Sequence, residues 1–127
     1  MSRIPFISKT WKEGRVWDLW MLVHFFSGVT IGFANSFLNL SIPVLFFLAL
    51  LGMIAWEIIE IFNVVHEVYE NLILDILFGL TGLFSAVEFS RYFLEPQQHT
   101  AFYVSALVLS FGCYLGWRAY QKRTIDL

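Results

Sequence analysis

Long apolar runs separated by short polar stretches dominate the chain. A bilayer core is crossed by about 20 consecutive, predominantly apolar residues in helical conformation. Four runs approach this length, and each is expected to form a transmembrane helix. The pattern therefore predicts an all-α polytopic membrane protein, a bundle of four transmembrane helices in a single domain over residues 1–127, with spans at about 17–37, 42–62, 71–89 and 101–117.

The polar stretches between these runs differ in their turn signals. "NLSIP" joins the first two spans and places Pro43 in the first turn of the second helix, a position that proline favours. "LEPQQHT" joins the last two, with Pro96 as the expected helix breaker. The second connection has neither glycine nor proline, so the second helix is expected to continue past the membrane surface.

Composition agrees with a membrane protein and argues against a nucleic-acid-binding one. The chain is 58% hydrophobic and only 14% charged, whereas soluble domains have about a quarter charged residues. The net charge of −2 gives no basic surface for nucleic acid. Membrane lipids are therefore the expected surroundings and partners.

Positive charge is concentrated at the two ends of the chain. Cytoplasmic segments of membrane proteins carry an excess of lysine and arginine. Only Arg91 lies between the first and fourth spans, whereas the ends carry Arg3, Lys9, Lys12, Arg15, Arg118, Lys122 and Arg123. This distribution predicts that both termini and the second connection are cytoplasmic, in a bacterial inner membrane.

One stretch, "AWEIIEIFNVVHEVYENLILD" over residues 55–75, carries several carboxylates and no lysine or arginine. With the predicted orientation, Glu57 and Glu60 lie in the cytoplasmic half of the second span, and Asp75 lies about one turn inside the third. Asp18 and His24 lie in the same half of the first span. Three helices should therefore bring ionisable groups to one depth.

Helical spacing arranges these groups in stripes, because residues three and four apart share one face of a helix. The second helix carries Glu57, Glu60 and Glu67, flanked by Asn63; the third carries Asn71, Asp75, Gly79 and Gly82; the first carries His24, Gly28 and Gly32. Glycines let neighbouring backbones approach closely in membranes. We expect these faces to point into the bundle, and Gly112 and Gly116 offer a further contact face on the fourth helix.

Carboxylates inside a membrane are costly and usually functional. Glu57 and Glu60 disfavour each other's ionisation. Three states would relieve this repulsion: one protonated carboxyl group, an ion pair of one carboxylate with His24 as imidazolium, or a bound cation such as Mg²⁺. The sequence predicts Glu57, Glu60 and Asp75 as ligands of Mg²⁺ or another divalent cation. Glu57 and Glu60 would also act as general base, and His24 as proton donor or as an orienting residue. A polar network that only joins the helices is the alternative.

The same positions resemble a known family. "HFFSGVTIG", "WEIIE" and "ENLILDILFGLTG" are similar to motifs of the VanZ-like and YjdF-type small membrane proteins. The resemblance covers the first three spans and rests on Asp18, His24, Glu57, Glu60, Asn71, Asp75, Gly79 and Gly82. It implies a membrane protein of the cell envelope rather than a particular reaction.

A second, shorter resemblance concerns "EIFNVVHE". Glu60, Asn63 and Glu67 repeat the E-x-x-N-x-x-x-E order of prokaryotic diacylglycerol kinase. In that family such residues hold metal and phosphate at the cytoplasmic surface, so the resemblance implies a lipid-kinase-like activity as an alternative.

Several function classes remain open from the sequence. The first is a site that binds or acts on a lipid headgroup with a divalent cation. The second is a non-enzymatic accessory or assembly subunit of a larger membrane complex, with self-association through Gly112 and Gly116 as a related alternative. An ion carrier ranks lowest, because the outer half of the bundle has no acidic residue before Glu88.

Overall fold

A computed structural model describes residues 19–62 and 69–125, with side chains as far as Gln121. This part of the chain consists of four α-helices and contains no strand: α1 (Trp20–Leu38), α2 (Ile42–Phe62), α3 (Tyr69–Ser90) and α4 (Glu95–Ile125). Each helix is long and apolar enough to cross a membrane. The predicted all-α membrane bundle is confirmed, and the chain is an integral membrane protein.

Some sequence predictions fall on residues that the structure does not describe. Asp18, Asn63 and Glu67 lie outside the described residues, as does the predicted continuation of the second helix. The roles predicted for these side chains stay predictions.

The start of α4 differs from the sequence prediction. The helix begins at Glu95 rather than near residue 101, and Pro96 lies in its first turn. Proline is tolerated there because a first-turn N–H has no partner within the helix. Leu94 just before the helix donates its N–H to Oε1 of Gln97 at 2.8 Å. The prediction that Pro96 breaks the helix was therefore wrong.

A tight turn joins α1 to α2. Asn39 adopts a left-handed conformation with φ 51° and donates its N–H to the carbonyl of Asn35 at 2.9 Å, as residues after helix ends often do. The Asn35 side chain accepts from Leu40 N–H at 2.9 Å and donates to Leu40 C=O at 3.1 Å. These bonds satisfy the polar backbone of the turn and reverse the chain, so α2 returns antiparallel to α1.

Helix α1 forms the largest interfaces of the bundle, with α3 and with α4. It crosses α3 at glycines: a Cβ at Gly28 would overlap the backbone of Gly79 and Leu83, and a Cβ at Gly82 would overlap the backbone of Phe25. The two backbones are therefore in direct contact. This agrees with the predicted inward orientation of the glycine faces.

Helices α2 and α4 pack on different helices of the bundle, α2 on α3 and α4 on α1. In α2, one narrow strip packs against α3, and Leu45, Ala49 and Met53 form the apolar core with Leu83 and Val87. Helix α4 packs antiparallel on α1, with contacts at Val23–Gly112, Thr30–Ser105 and Phe37–His99. Most large apolar side chains outside these interfaces are exposed, as expected for surfaces that face lipid.

Candidate functional site

Three ionisable residues of three helices meet at one end of the bundle. His24 is the fifth residue of α1, Asp75 is the seventh residue of α3, and Glu57 lies five residues before the end of α2. At 1.5 Å per residue, these positions lie roughly 6–9 Å from the helix ends. The site is therefore near one end of the described part of the bundle.

His24 lies between the two carboxylates. Its Nε2 atom is 3.6 Å from Oδ2 of Asp75 and 3.8 Å from Oε1 of Glu57. One ligand atom of each residue lies within 4.8 Å of the other two. Both nitrogen–oxygen distances exceed the 2.7–3.2 Å of good hydrogen bonds, so the imidazole is near both carboxylates without a close hydrogen bond to either.

The carboxylates are almost completely buried. The side chains of Asp75 and Glu57 are 1% and 4% exposed, and that of His24 is 11% exposed. With both carboxyl groups ionised, these three groups carry a combined formal charge of −2 when the imidazole is neutral and −1 when it is protonated. The histidine edge is the most accessible part of the cluster.

The local helix pattern explains why Glu57 is buried. The buried residues of α2 recur at steps of four, Leu45, Ala49, Met53 and Glu57. Glu57 thus continues the apolar strip that packs on α3. A Cβ at Gly79 would lie 2.7 Å from Cε of Met53 and 3.5 Å from the carbonyl oxygen of His24. Because Gly79 has no side chain, α1 and α2 can both pack closely against α3 one turn after Asp75.

Asn71 lies one turn before Asp75 on α3 and is completely buried. Its Nδ2 donates a hydrogen bond of 2.6 Å to Oδ2 of Asp75, the same oxygen that faces His24. Its Oδ1 is buried and accepts no hydrogen bond from the residues that the structure describes. The predicted supporting residues Asn71, Gly79 and Gly82 therefore all lie in the interfaces that build the site.

Glu60 does not join this cluster. It accepts a hydrogen bond of 2.7 Å from Nε1 of Trp56 on the exposed side of α2, and it is not in the group formed by His24, Glu57 and Asp75. A step of three residues turns a helix by roughly 300°, which leaves Glu60 about 60° away from the strip of Glu57. The described residues thus do not bring Glu60 together with His24, Glu57 and Asp75, and its predicted role as a cation ligand stays a prediction.

Gly112 and Gly116 face the interior of this chain. A Cβ at Gly112 would lie 3.4 Å from Val23 of α1, and Gly116 is buried one turn further along α4. This face contacts α1, so self-association through the two glycines stays a prediction without support from the packing.

Two polar residues of the bundle were missed by the sequence reasoning. The hydroxyl groups of Thr30 and Ser105 lie 3.2 Å apart between α1 and α4, and Ser105 is 5% exposed. Seven residues separate Ser105 from Gly112, so the small-residue face of α4 would have included it.

Comparison of the chain with models of protein families, with curated proteins and with solved structures finds no match. The resemblances to VanZ-like proteins and to diacylglycerol kinase therefore stay predictions from short motifs. The site has to be interpreted from its own geometry.

Proposed function

We propose that this membrane protein binds a divalent cation between His24, Glu57 and Asp75 and uses it to bind, or act on, the anionic headgroup of a membrane lipid. The observation that carries the proposal is the position of His24 Nε2, less than 4 Å from a carboxylate oxygen of each of two other helices.

The spacing of the three ligand atoms suits an ion better than direct hydrogen bonds. Metal–nitrogen and metal–oxygen bonds of about 2.0–2.2 Å place two ligands of one ion roughly 2.8–3.6 Å apart when they are neighbours, and about 4.4 Å apart at most when they are opposite. The 3.6 and 3.8 Å distances from His24 lie between these limits. Two carboxylates also match the charge of a divalent cation.

The depth of the cluster supports a lipid headgroup as the partner. At roughly 6–9 Å from the helix ends, the site is within reach of headgroup oxygens at the membrane surface. A divalent ion held by carboxylates commonly completes its coordination with phosphate oxygens. Glu57 and Asp75 would hold the ion, and the 11% exposed His24 would lie at the side where a headgroup enters.

In this proposal His24 binds the ion through Nε2 instead of serving as the proton donor expected from the sequence. The proposal also includes the orientation inferred from the basic residues: both termini in the cytoplasm, an inner membrane of a cell envelope, and the site in the cytoplasmic leaflet. The last part of α4, at the same end of the bundle as the site, contains Arg118, Lys122 and Arg123, which supports this orientation.

Ligand-dependent stability tests the cation site. A ligand that binds only the folded state raises the free energy of unfolding, by about 2.7 kcal/mol at 100 times its Kd. We expect millimolar Mn²⁺ or Mg²⁺ to raise the Tm of the purified protein in detergent, and EDTA to reverse the rise. Glu57→Gln and Asp75→Asn should fold but lose the rise.

Glu88→Gln is the matched control. Glu88 is an α3 carboxylate at the opposite end of the bundle, where it pairs with Arg91 at 3.2 Å. This variant should keep the cation-dependent rise in Tm. An equal rise in Glu57→Gln, Asp75→Asn and the wild type would refute the cation site.

The lipid part needs a separate measurement. Nanodiscs of phosphatidylcholine, with and without phosphatidylglycerol, would hold the wild type and the Asp75→Asn variant. We expect Mn²⁺ to bind the wild type more tightly when phosphatidylglycerol is present, and this gain to disappear in the variant. Equal Mn²⁺ affinity of the wild type in both membranes would refute a headgroup partner.

A second candidate is an accessory subunit of a larger membrane complex, and the largely exposed surface of α2 favours it. Only Leu45, Ala49, Met53 and Glu57 are buried along its 21 residues, so most of α2 is available to another membrane helix. A stoichiometric partner that is crosslinked from positions on the exposed side of α2, such as Leu51, would support this function. Two of the three residues that carry the resemblance to diacylglycerol kinase, Asn63 and Glu67, lie outside the described residues, so a lipid-kinase-like activity stays a prediction.

A further inference from the structure

Helices α2 and α4 are the two end members in the packing order of the bundle. Helix α1 packs on α3 and α4, and α3 also packs on α2, whereas no extensive contact joins α2 to α4 within the described residues. In residues 95–121 of α4, burial is confined to Ser105, Gly116 and Ala119. Each end helix therefore has one main neighbour and a wide exposed side that another membrane helix can cover.

The exposed side of α4 carries an arginine. Tyr114 is two residues from both Gly112 and Gly116, and at roughly 100° per residue it lies on the opposite side of the helix from these glycines, which face α1. The guanidinium of Arg118 lies over the Tyr114 ring, with Cζ 5.9 Å from the ring centroid and Nη1 3.5 Å from the hydroxyl oxygen. Arg118 forms no ion pair with the residues that the structure describes.

The exposed side of α2 carries an acidic residue next to an exposed aromatic one. Glu60 accepts a hydrogen bond of 2.7 Å from Nε1 of Trp56, one turn earlier, and this indole is more than half exposed. The surface of α2 thus combines a carboxylate with an aromatic ring, whereas that of α4 combines a guanidinium with one. The two surfaces are therefore complementary in charge.

Contacts with α1 show which parts of α2 and α4 are at the same level along the bundle axis. Glu57 of α2 is level with His24, because their side chains approach each other within 3.8 Å. Gly112 of α4 is level with Val23, the residue before His24, because a Cβ at Gly112 would lie 3.4 Å from it. The part of α4 next to Gly112 is therefore level with Glu57.

The two opposite charges also lie at one level. Both α2 and α4 run antiparallel to α1, so both advance about 1.5 Å per residue toward the same end of the bundle. Glu60, three residues after Glu57, is then level with Tyr114 of α4. Since the guanidinium of Arg118 lies at the Tyr114 ring, it is at nearly the same level as the Glu60 carboxylate.

We propose that α4 of one copy of this protein packs on the exposed side of α2 of a second copy, and that Arg118 of the first copy pairs with Glu60 of the second. Copies of a membrane protein share one orientation in the membrane, so groups at one level within a copy are also at one level between copies. The interface uses no residue of the cluster formed by His24, Glu57 and Asp75. It is therefore independent of the proposed cation site.

A second copy accounts for both charges, whereas a lipid headgroup accounts for one. An anionic headgroup would attract Arg118 and repel Glu60, and a guanidinium–carboxylate pair stabilises both groups next to hydrocarbon. Trp56, Tyr114 and Trp117 are all more than half exposed near the two charges. Because tryptophan, tyrosine and arginine contribute most of the binding free energy at many protein interfaces, this chemistry favours a second copy as the occupant.

Disulfide crosslinking in isolated membranes tests the interface. Cys113→Ser removes the exposed native thiol, and copies with Gly52→Cys are expressed together with differently tagged copies that carry Leu107→Cys. Gly52 lies two turns before Glu60, and Leu107 lies two turns before Tyr114, so the two cysteines are at similar levels. A Cβ at Gly52 has no atom within 4 Å, so the substitution fits. We expect oxidation to join the two tags.

Thr81→Cys is the matched control for this crosslink. Thr81 is exposed on α3, at a level similar to that of Leu107, and it lies outside the proposed interface. Copies with Thr81→Cys should not be joined to copies with Leu107→Cys. Equal joining of both pairs would show random collision and overturn the proposal. A crosslink from Gly52→Cys to a different protein alone would also overturn it and would favour the accessory subunit.

Reversal of the charges tests the proposed pair itself. Glu60→Arg or Arg118→Glu places like charges opposite each other and should weaken self-association at least about tenfold in Kd. The double variant should restore the Kd to nearly that of the wild type. Arg91→Glu is the control, because Arg91 is an exposed arginine at the other end of the bundle, and it should leave the Kd unchanged. The Kd is measured by energy transfer between labelled copies in liposomes.

These measurements are made in EDTA, so that occupation of the cation site does not affect them. A monomeric wild type in liposomes would refute the interface, whatever the outcome for cation binding. A double variant as weak as the single ones would refute the pair of Glu60 with Arg118. Weaker association for Arg118→Glu, with none for Glu60→Arg, would show that Arg118 contacts lipid headgroups instead.

Discussion

At the scale of single residues, the hydroxyl groups of Thr30 and Ser105 form a polar contact between α1 and α4, away from the site. Each hydroxyl group also bonds to a carbonyl of its own helix, Thr30 to Phe26 at 2.7 Å and Ser105 to Phe102 at 2.9 Å. Because each hydroxyl group has a single hydrogen, the 3.2 Å contact between the two oxygens becomes a hydrogen bond only when one of them gives up the bond within its own helix. Such contacts between membrane helices contribute on average about 0.6 kcal/mol.

A double-mutant cycle of Thr30→Val and Ser105→Ala should therefore give a coupling free energy of about 0.6 kcal/mol in unfolding. Ser110→Ala is the control, because Ser110 is exposed and bonds only within α4, to Ala106 at 2.8 Å. Pairing Ser110→Ala with Thr30→Val should give a coupling near zero. A coupling near zero for Thr30 with Ser105 as well would show that their contact does not hold α1 and α4 together.

The residue scale also shows which of the predicted site residues the structure brings together and which it does not. His24, Glu57 and Asp75 were chosen by depth and helical face, and the structure brings them together. Glu60 was chosen by the same criteria, yet it bonds to Trp56 on the exposed side of α2. Steps of three and four look equivalent in a sequence. Only the packing of Leu45, Ala49 and Met53 on α3 shows that the step of four continues the buried strip.

At the scale of helices, the α1–α3 crossing depends on glycine at one position and not at another. A Cβ at Gly28 would overlap backbone atoms of α3, which cannot move aside as a side chain can, whereas a Cβ at Gly52 would have no atom within 4 Å. Gly28→Ala should therefore destabilise the protein by about 1–3 kcal/mol or more, the usual cost of overpacking. Gly52→Ala should be neutral or slightly stabilising, since alanine favours helix more than glycine.

Thermal unfolding in detergent measures both variants, and cation binding adds a second measurement. His24 lies one turn from Gly28 on α1, so separation of α1 from α3 should also weaken the cation-dependent rise in Tm for Gly28→Ala. Equal stability of the two alanine variants would show that α1 and α3 are not in backbone contact.

Helix limits were predictable to the extent that hydrophobicity sets them. The second span was predicted to begin at residue 42, and α2 begins at Ile42, because the polar "NLS" turn precedes it; the residues after Phe62 lie outside the described part of the chain. The fourth was predicted to begin near residue 101 and begins at Glu95. Its first turns contain polar residues such as Gln97 and Gln98, so hydrophobicity did not indicate a helix there. The side chains of Gln97 and Gln98 bond to backbone atoms of Ser90, Phe93 and Leu94, before the helix.

At the scale of the whole molecule, the orientation in the membrane decides which leaflet the site occupies. His24, Glu57 and Asp75 lie toward the end of the bundle that holds the start of α1 and the end of α4. The α1–α2 turn and the α3–α4 connection lie at the other end. If basic residues set the orientation, these two connections face outward and the site belongs to the cytoplasmic leaflet.

Cysteine labelling in intact cells tests this orientation. The exposed Cys113 is first replaced by serine, and single cysteines are then placed at Ser41 in the α1–α2 turn or at Tyr92, which is 82% exposed in the α3–α4 connection. Both should react with a maleimide that does not cross membranes. A cysteine added after Leu127 should react only once the cells are opened. The reverse pattern would place the site in the outer leaflet, where a cation and a headgroup would have to come from outside the cell.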